Sequence, residues 1–353
     1  MFAIMLFFII IGFLLKKPKI IFFVDTIFLS ILTSSSTNVP DFLSYYSIYY
    51  NIKKDFYYET GSGWYYLCLM GRSLGIGYAQ FKGILVFISL VLIYVTLLYF
   101  YKKDNNFIWS LYLLYPALID CIQIRFFIAA AIGIFAIIFL SKDNLKGYLM
   151  FIVLIAFAGT IHSSVLFFIL LLFVNIVDKL SKSKLFIIIL VVVSATIYFS
   201  TIGEKILESA ISIFANMRQQ SYLVSNNNMS TIEFMVYFII IISFVLFSMY
   251  MKLNFFKLNP NMYSKKLDRL FSIIFFFNIM TLLLLPMLKF SSDFIRIQRP
   301  VWILMYSEIL FYIANSTKKI FLKRISLVAF AIISFFLLLG YYAPLVLPGF
   351  FNF

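Results

Sequence analysis

The chain has 353 residues, 63% of them apolar and only 12% charged, with a mean hydropathy of +1.02. An ordinary soluble domain is about a quarter charged, and one globular core of this size cannot hide so much apolar surface. A soluble enzyme, a disordered segment and a nucleic-acid partner are excluded, and the net charge of +15 reads as membrane orientation, because basic residues gather on cytoplasmic loops.

A spanning helix needs roughly 20 apolar residues. Apolar runs fill most of the chain, so the basic clusters are the better ruler. They are Lys16-Lys17-Pro18-Lys19, Lys102-Lys103, Lys142 with Lys146, Lys179 to Lys184, Lys252 to Arg269, and Lys318 to Arg324. With all six on the cytoplasmic side, an even number of crossings separates neighbours, which makes 107–140 and 147–177 hairpins. The pattern predicts an all-α polytopic integral membrane protein in a single multi-span domain, 1–353. About twelve transmembrane helices are expected, over 1–15, 20–34, 81–100, 107–119, 122–140, 147–160, 163–177, 185–200, 232–250, 270–288, 301–316 and 325–342. Several fall below the usual length and are expected to tilt or to lie inside the bundle. The first lacks a basic n-region and an A-x-A site, so it reads as an anchor with its N-terminus outside.

Three outer loops follow, 35–80, 201–231 and 289–300. The first opens on Ser34-Ser35-Ser36-Thr37-Asn38-Val39-Pro40-Asp41, all turn and cap chemistry. Residues 64–76 are predicted as an interfacial helix with Trp64, Tyr65 and Leu67 facing lipid. No internal repeat supports an inverted-repeat transporter. Two cysteines, Cys68 and Cys121, are too few for a disulfide framework.

Under this topology five of the seven arginines lie outside: Arg72, Arg125, Arg218, Arg296 and Arg299. Lysine suffices to set topology, whereas arginine offers a planar fork of donors that grips phosphate or carboxylate in two places. The set therefore points to an anionic ligand such as a pyrophosphate. The plainer reading is contact with lipid headgroups, or pairing with acids such as Asp41, Glu59 and Asp120. Arg125 starts a span in IQIRFF, a depth at which a charge faces a partner or a water-filled cavity. His162 is the only histidine, in GTIHSS at the outer turn of a hairpin; alone it reads as a helix-packing hydrogen-bond donor. Arg296 and Arg299 would share a face at the head of a helix. Asp25 and Glu308 fall inside spans, as cavity groups or paired structural acids.

In order, these features resemble the EpsG-like branch of the Wzy-type polysaccharide repeat-unit polymerases. The carrying residues are Asp41 with Tyr45 and Tyr49 in DFLSYYSIYY, Glu59 in ETGSGWYYL, Arg125 in IQIRFFIAAA, His162 in GTIHSSVLFF and the late Arg296, over roughly 35–310. Where such proteins often have Arg-Gln, this chain has Arg125-Phe126. The resemblance implies a fold like the GT-C membrane glycosyltransferases, with an outer-face cavity, in the bacterial cytoplasmic membrane. It implies transfer of a growing O-antigen or capsule glycan from undecaprenyl pyrophosphate to a new lipid-linked oligosaccharide repeat unit. A chain-length regulator and a flippase are the candidate protein partners, beside membrane lipids.

No cofactor and no metal are expected, since the chain has no phosphate-binding Gly-rich fingerprint, Asp-x-Asp pair or His/Cys cluster. Arginines in a partly dry cavity can stabilise a departing pyrophosphate. Arg125 takes that role first and Arg296 second, with Arg299 in support and Arg72 as a further phosphate contact. The acceptor hydroxyl must shed a proton, for which Glu59 is first choice, ahead of Asp41 and His162. Tyr45, Tyr49, Tyr57 and Tyr58 suit sugars or interfacial anchoring, and Asp41 also suits a helix cap. An O-antigen ligase shares the donor and the outer arginines. A flippase would need cations lining a passage between both faces.

Overall fold

A bilayer offers no water to unpaired backbone groups, so a chain this apolar must satisfy them within helices. The computed structural model describes residues 2–15, 17–51, 61–101, 106–176, 184–200, 205, 230–289, 292–315, 328, 332–334 and 348–351. Among them every regular element is helical. The chain forms two compact units: Met1–Ile169 with Tyr306–Phe353, and Leu170–Met305.

In the first unit, α1 (Phe2–Leu14) and α2 (Pro18–Ser35) flank the first lysine cluster. Pro18 sits in the first turn of α2, where its missing N–H costs nothing. Short helices α3 (Phe42–Tyr50) and α4 (Ser62–Ser73) precede the long α5 (Tyr78–Tyr101). Gly83 of α5 approaches Ser30 and Ser34, while Phe22 stacks on Tyr94 with ring centroids 3.9 Å apart. The two helices are therefore antiparallel, in contact through small residues, as membrane helices favour.

The return crossing is broken into α6 (Asn106–Leu114) and α7 (Ala117–Ile122), separated by a cis Tyr115–Pro116 bond. Trp109 lies beside Phe22, and the Cys121 side chain lies near Thr33. The pair thus runs along α2 from the Lys17 end to the Ser36 end. Helix α8 (Ile124–Leu140) returns and α9 (Leu145–Ile161) follows, its first turn capped by Asn144, whose Oδ1 accepts from the Gly147 N–H at 2.7 Å. Gly147 packs on the Phe139 carbonyl at one end of this hairpin, and Ile161 meets Arg125 at the other. Beyond His162 a 3-10 helix, Ser163–Phe173, brings Val165 and Phe168 against Gly133, two turns along α8. The chain has reversed at His162, so the expected hairpin of 147–177 turns there.

The second unit holds α10 (Lys184–Phe199), α11 (Thr231–Tyr250) and α12 (Lys265–Leu284). Ser230 and Glu233 form a reciprocal capping box at the start of α11. Helix α12 is the most buried of the helices long and apolar enough to cross a membrane; its Asn278 Nδ2 donates to Ser248 Oγ at 3.1 Å and its Leu282 carbonyl accepts from Ser194 Oγ at 2.7 Å. Two 3-10 segments, Leu285–Lys289 and Ser292–Ile297, lead into α13 (Arg299–Asn315), whose Trp302 packs edge-on against Phe244.

The structure bears on three expectations. Among the described residues four helices are long and apolar enough to cross a membrane: Pro18–Ser35, Tyr78–Tyr101, Thr231–Leu258 and Lys265–Leu288. The other described spans are shorter, broken at Pro116, or wound as a 3-10 helix, which rises about 2.0 Å per residue and covers more depth with fewer residues; span 325–342 lies mostly outside the described residues. Second, α4 does not turn Trp64 to lipid. Trp64, Cys68 and Gly71 form its buried face at i, i+4 and i+7, and Tyr66, Leu69, Met70 and Leu74 are the exposed large side chains. Third, Arg296 and Arg299 do not head one helix. Arg296 lies in the last turn of a 3-10 segment and Arg299 begins α13 after the Gln298 turn, because Pro300 favours a first turn and cannot continue one.

Candidate functional site

The first unit gathers polar groups at the end opposite Lys17, Lys142 and Lys146. Arg125 is the second residue of α8, half-buried, and its Nε donates to the Ile161 carbonyl at 2.9 Å. That carbonyl belongs to the last turn of α9, where chain carbonyls lack intrahelical donors and the helix dipole is negative. The cation is thus held where the hairpin closes. His162, the next residue, is extended and half-buried, with its ring edge-on to Phe126 at 5.3 Å. Its Nδ1 accepts from the Ser164 N–H at 3.3 Å. A neutral imidazole in that state carries its proton on Nε2 and presents a donor there.

Helix α4 covers this turn. Gly61 has φ +90°, open to glycine and strained for other residues, and a Cβ there would stand 2.5 Å from the Thr160 carbonyl. At Gly63 a Cβ would strike Thr160 Oγ1 and come within 3.0 Å of the Ile161 N. Behind them the buried Trp64 meets Tyr45 and Phe81. Burial pushes the Cys68 thiol up to about 12, with the Arg125 charge pulling the other way. Cys68 and Cys121 are both free and buried.

The remaining residues of the first loop frame this helix. Tyr49 is fully buried; its hydroxyl donates to the Ile76 carbonyl at 2.6 Å and its ring packs on Tyr50, Tyr78 and Phe81. It therefore presents no open face to a sugar, whereas the neighbouring Tyr45 is half-buried. Asp41 occupies the N-cap position of α3 in the left-handed region, φ 63°, yet its side chain makes no capping bond. It is exposed, as is Arg72 in the last turn of α4, whose charge acts on the Tyr49 hydroxyl.

The sequence profile of the EpsG family matches residues 19–350. The chain belongs to the EpsG family. Membership suggests a polysaccharide polymerase with glycosyltransferase-like activity, embedded in a membrane. No curated protein and no solved structure matches the chain.

In this EpsG family member Arg296 and Arg299 belong to the second unit, Arg296 half-buried and Arg299 buried. Glu59, with Tyr57, Tyr58 and Arg218, lies outside the described residues. Asp120, a proposed structural partner of Arg125, accepts from Tyr112 Oη at 2.8 Å. Asp25 and Glu308 are buried carboxyls with no hydrogen-bond partner among the described residues.

Sequence reasoning passed over Lys82. Its Nζ donates to the Ser36 carbonyl at 2.6 Å and lies 4.7 Å from the Phe42 ring centroid, so one buried cation ties the end of α2 to the start of α3. The available signal was a lone lysine near the head of an otherwise apolar 24-residue helix.

Proposed function

We propose that this chain polymerises oligosaccharide repeat units carried on undecaprenyl pyrophosphate, at the outer face of the bacterial cytoplasmic membrane. The supporting observation is the placement of Arg125 and His162 at one hairpin turn beneath α4, at the end opposite Lys17, Lys142 and Lys146. Lysine-rich ends favour the cytoplasm, which supports an outward-facing turn. About twelve crossings and a GT-C-like architecture belong to the same reading.

The bond from the anomeric carbon to the pyrophosphate oxygen breaks, and the electron pair leaves with the lipid pyrophosphate. Arg125 stabilises that charge without a metal, with Arg72 as a binding contact; Arg296 and Arg299, in the second unit, enter this reading as donors from the sequence pattern alone. An acceptor hydroxyl forms the new glycosidic bond and gives its proton to a carboxylate, Glu59 first and Asp41 second. His162 orients the acceptor by donating from Nε2, and Tyr45 provides a flat wall for a sugar.

Deletion in a glycan-producing host, followed by sizing of the surface polysaccharide, tests this function. Single repeat units on the final acceptor support a polymerase. Complete loss from that acceptor points to a ligase or flippase, and unchanged polymer length rejects all three.

A further inference from the structure

Helices α11 and α12 are antiparallel neighbours: Phe256, just past α11, stacks on Phe271 at 5.3 Å, and Asn278 bonds to Ser248. Both belong to helices long and apolar enough to cross a membrane, Thr231–Leu258 and Lys265–Leu288, so the turn between them stands where such crossings meet the headgroups. Its shape is built in. A π-helical turn, Met251–Phe255, and a last helical turn, Phe256–Leu258, lead into a 3-10 turn, Pro260–Met262. Asn259 Nδ2 donates to the Phe255 carbonyl at 3.0 Å, and the Tyr263 ring meets Phe256 edge-on at 5.4 Å. Leu258, Met262 and Tyr263 are nonetheless exposed. Between Met251 and Arg269 the chain has five basic residues and one acid. That acid, Asp268, is paired with Lys252 at 3.2 Å, and Arg269 Nη1 donates to Asn175 Oδ1. Lys257 and Lys265 flank the apolar group and are exposed, with no hydrogen bond or ion pair among the described residues.

We propose that this turn is a docking surface for anionic phospholipid headgroups, with Lys257 and Lys265 on the phosphates and Leu258, Met262 and Tyr263 at the top of the acyl chains. Lysine stems lie along apolar surface while their ammonium groups reach the headgroups, and tyrosine favours the same level. Lysine also suits a mobile headgroup, as a point charge without the fixed geometry of an arginine fork. A zwitterionic headgroup brings its own ammonium to its phosphate, whereas an anionic one leaves net charge for the two lysines. Because the turn is already folded, docking orders little of the backbone. The surface is independent of the polymerase reading.

The test uses the full chain in phosphatidylcholine nanodiscs doped with a headgroup-photoreactive phosphatidylglycerol or, in parallel, with the matching phosphatidylcholine probe. Labelled peptides are mapped by mass spectrometry. Label on 256–266 that is much stronger from phosphatidylglycerol supports the proposal. Changing Lys257→Gln and Lys265→Gln together should lower that preference by about 25-fold, roughly fivefold per lysine. The control pair Lys142→Gln and Lys146→Gln removes the same charge from the first unit and should leave the preference at 256–266 unchanged. Should the Lys257 and Lys265 double variant fail to elute as a monodisperse species, the wild-type comparison of the two probes decides alone. Equal label from both probes, or an equal fall with the control pair, overturns the proposal. Absence of label on 256–266 also overturns it and leaves the turn to a protein partner.

Discussion

Arg125 and Ile161 are 36 positions apart, yet the Arg125 Nε donates to the Ile161 carbonyl at 2.9 Å, tying the head of α8 to the end of α9. The bond uses one of five guanidinium donors and fixes the plane in which the others lie. Lysine has neither the Nε–H nor the fork, so Arg125→Lys keeps the charge and loses its orientation. Loss of one preorganised donor costs on the order of 10²–10³ in rate. The expected outcome is a folded Lys variant with elongation reduced to that extent, measured by single-turnover extension of lipid-linked units. A wild-type rate reassigns Arg125 to packing.

Gly63 allows α4 to rest on the hairpin turn, since any Cβ there meets Thr160 Oγ1 and the Ile161 backbone. Gly63→Ala must move α4 or the turn, and overpacking of this kind costs about 1–3 kcal/mol. Gly75 offers a control: its φ is +69° but nothing lies within 4 Å of an added Cβ. Gly75→Ala should cost about 1–2 kcal/mol from backbone strain alone and leave the turn in place. Comparison of melting temperature with elongation rate checks this. Gly63→Ala should lose activity beyond its loss of stability, and Gly75→Ala should not.

Much of the first unit was legible in the sequence. Lys142 and Lys146 marked one end of the α8–α9 hairpin, and Arg125 and His162 marked the other. The seating of α4 was not legible, because Gly61 and Gly63 meet Thr160 and Ile161 about a hundred positions away. Trp64 was misread because aromatic residues serve both interfaces and packing; the i, i+4, i+7 relation to Cys68 and Gly71 carried the better signal. Arg296 and Arg299 were misread because helical spacing was applied across Gln298, although Pro300 marks a fresh start.

Cys68 yields a pH prediction. Burial raises its thiol from an ordinary 9.0 to about 12, against the opposing pull of Arg125. Below pH 9 both folded and unfolded chains keep the proton, so the group leaves stability unaffected. Between 9 and 12 the unfolded chain releases it and the folded chain does not, so stability falls as pH rises through that window. Because the thiolate is the nucleophile, alkylation of a Cys121→Ala protein at pH 8 should be about 10³-fold slower when folded than in denaturant. Rapid native labelling would place Cys68 in an open, polar setting instead.

The last prediction separates His162 as a donor from His162 as a base. With Nδ1 accepting from Ser164, the neutral ring carries its proton on Nε2 and has no lone pair there to take another. His162→Gln can restore an N–H near the Nε2 position, while His162→Asn can restore the acceptor for Ser164 and offers nothing at Nε2. If His162 orients the acceptor as a donor, Gln retains most of the rate and Asn loses it, although Asn keeps the turn. A general base typically contributes 10²–10⁴-fold, so a base at His162 makes both variants fall together by about that factor. Glu59→Gln then completes the assignment, as it keeps hydrogen-bonding capacity and removes basicity. A fall of about 10²–10⁴ there, with His162→Gln near wild type, gives the proton to Glu59. A wild-type rate for Glu59→Gln moves it to Asp41, and Asp41→Asn should then show the loss.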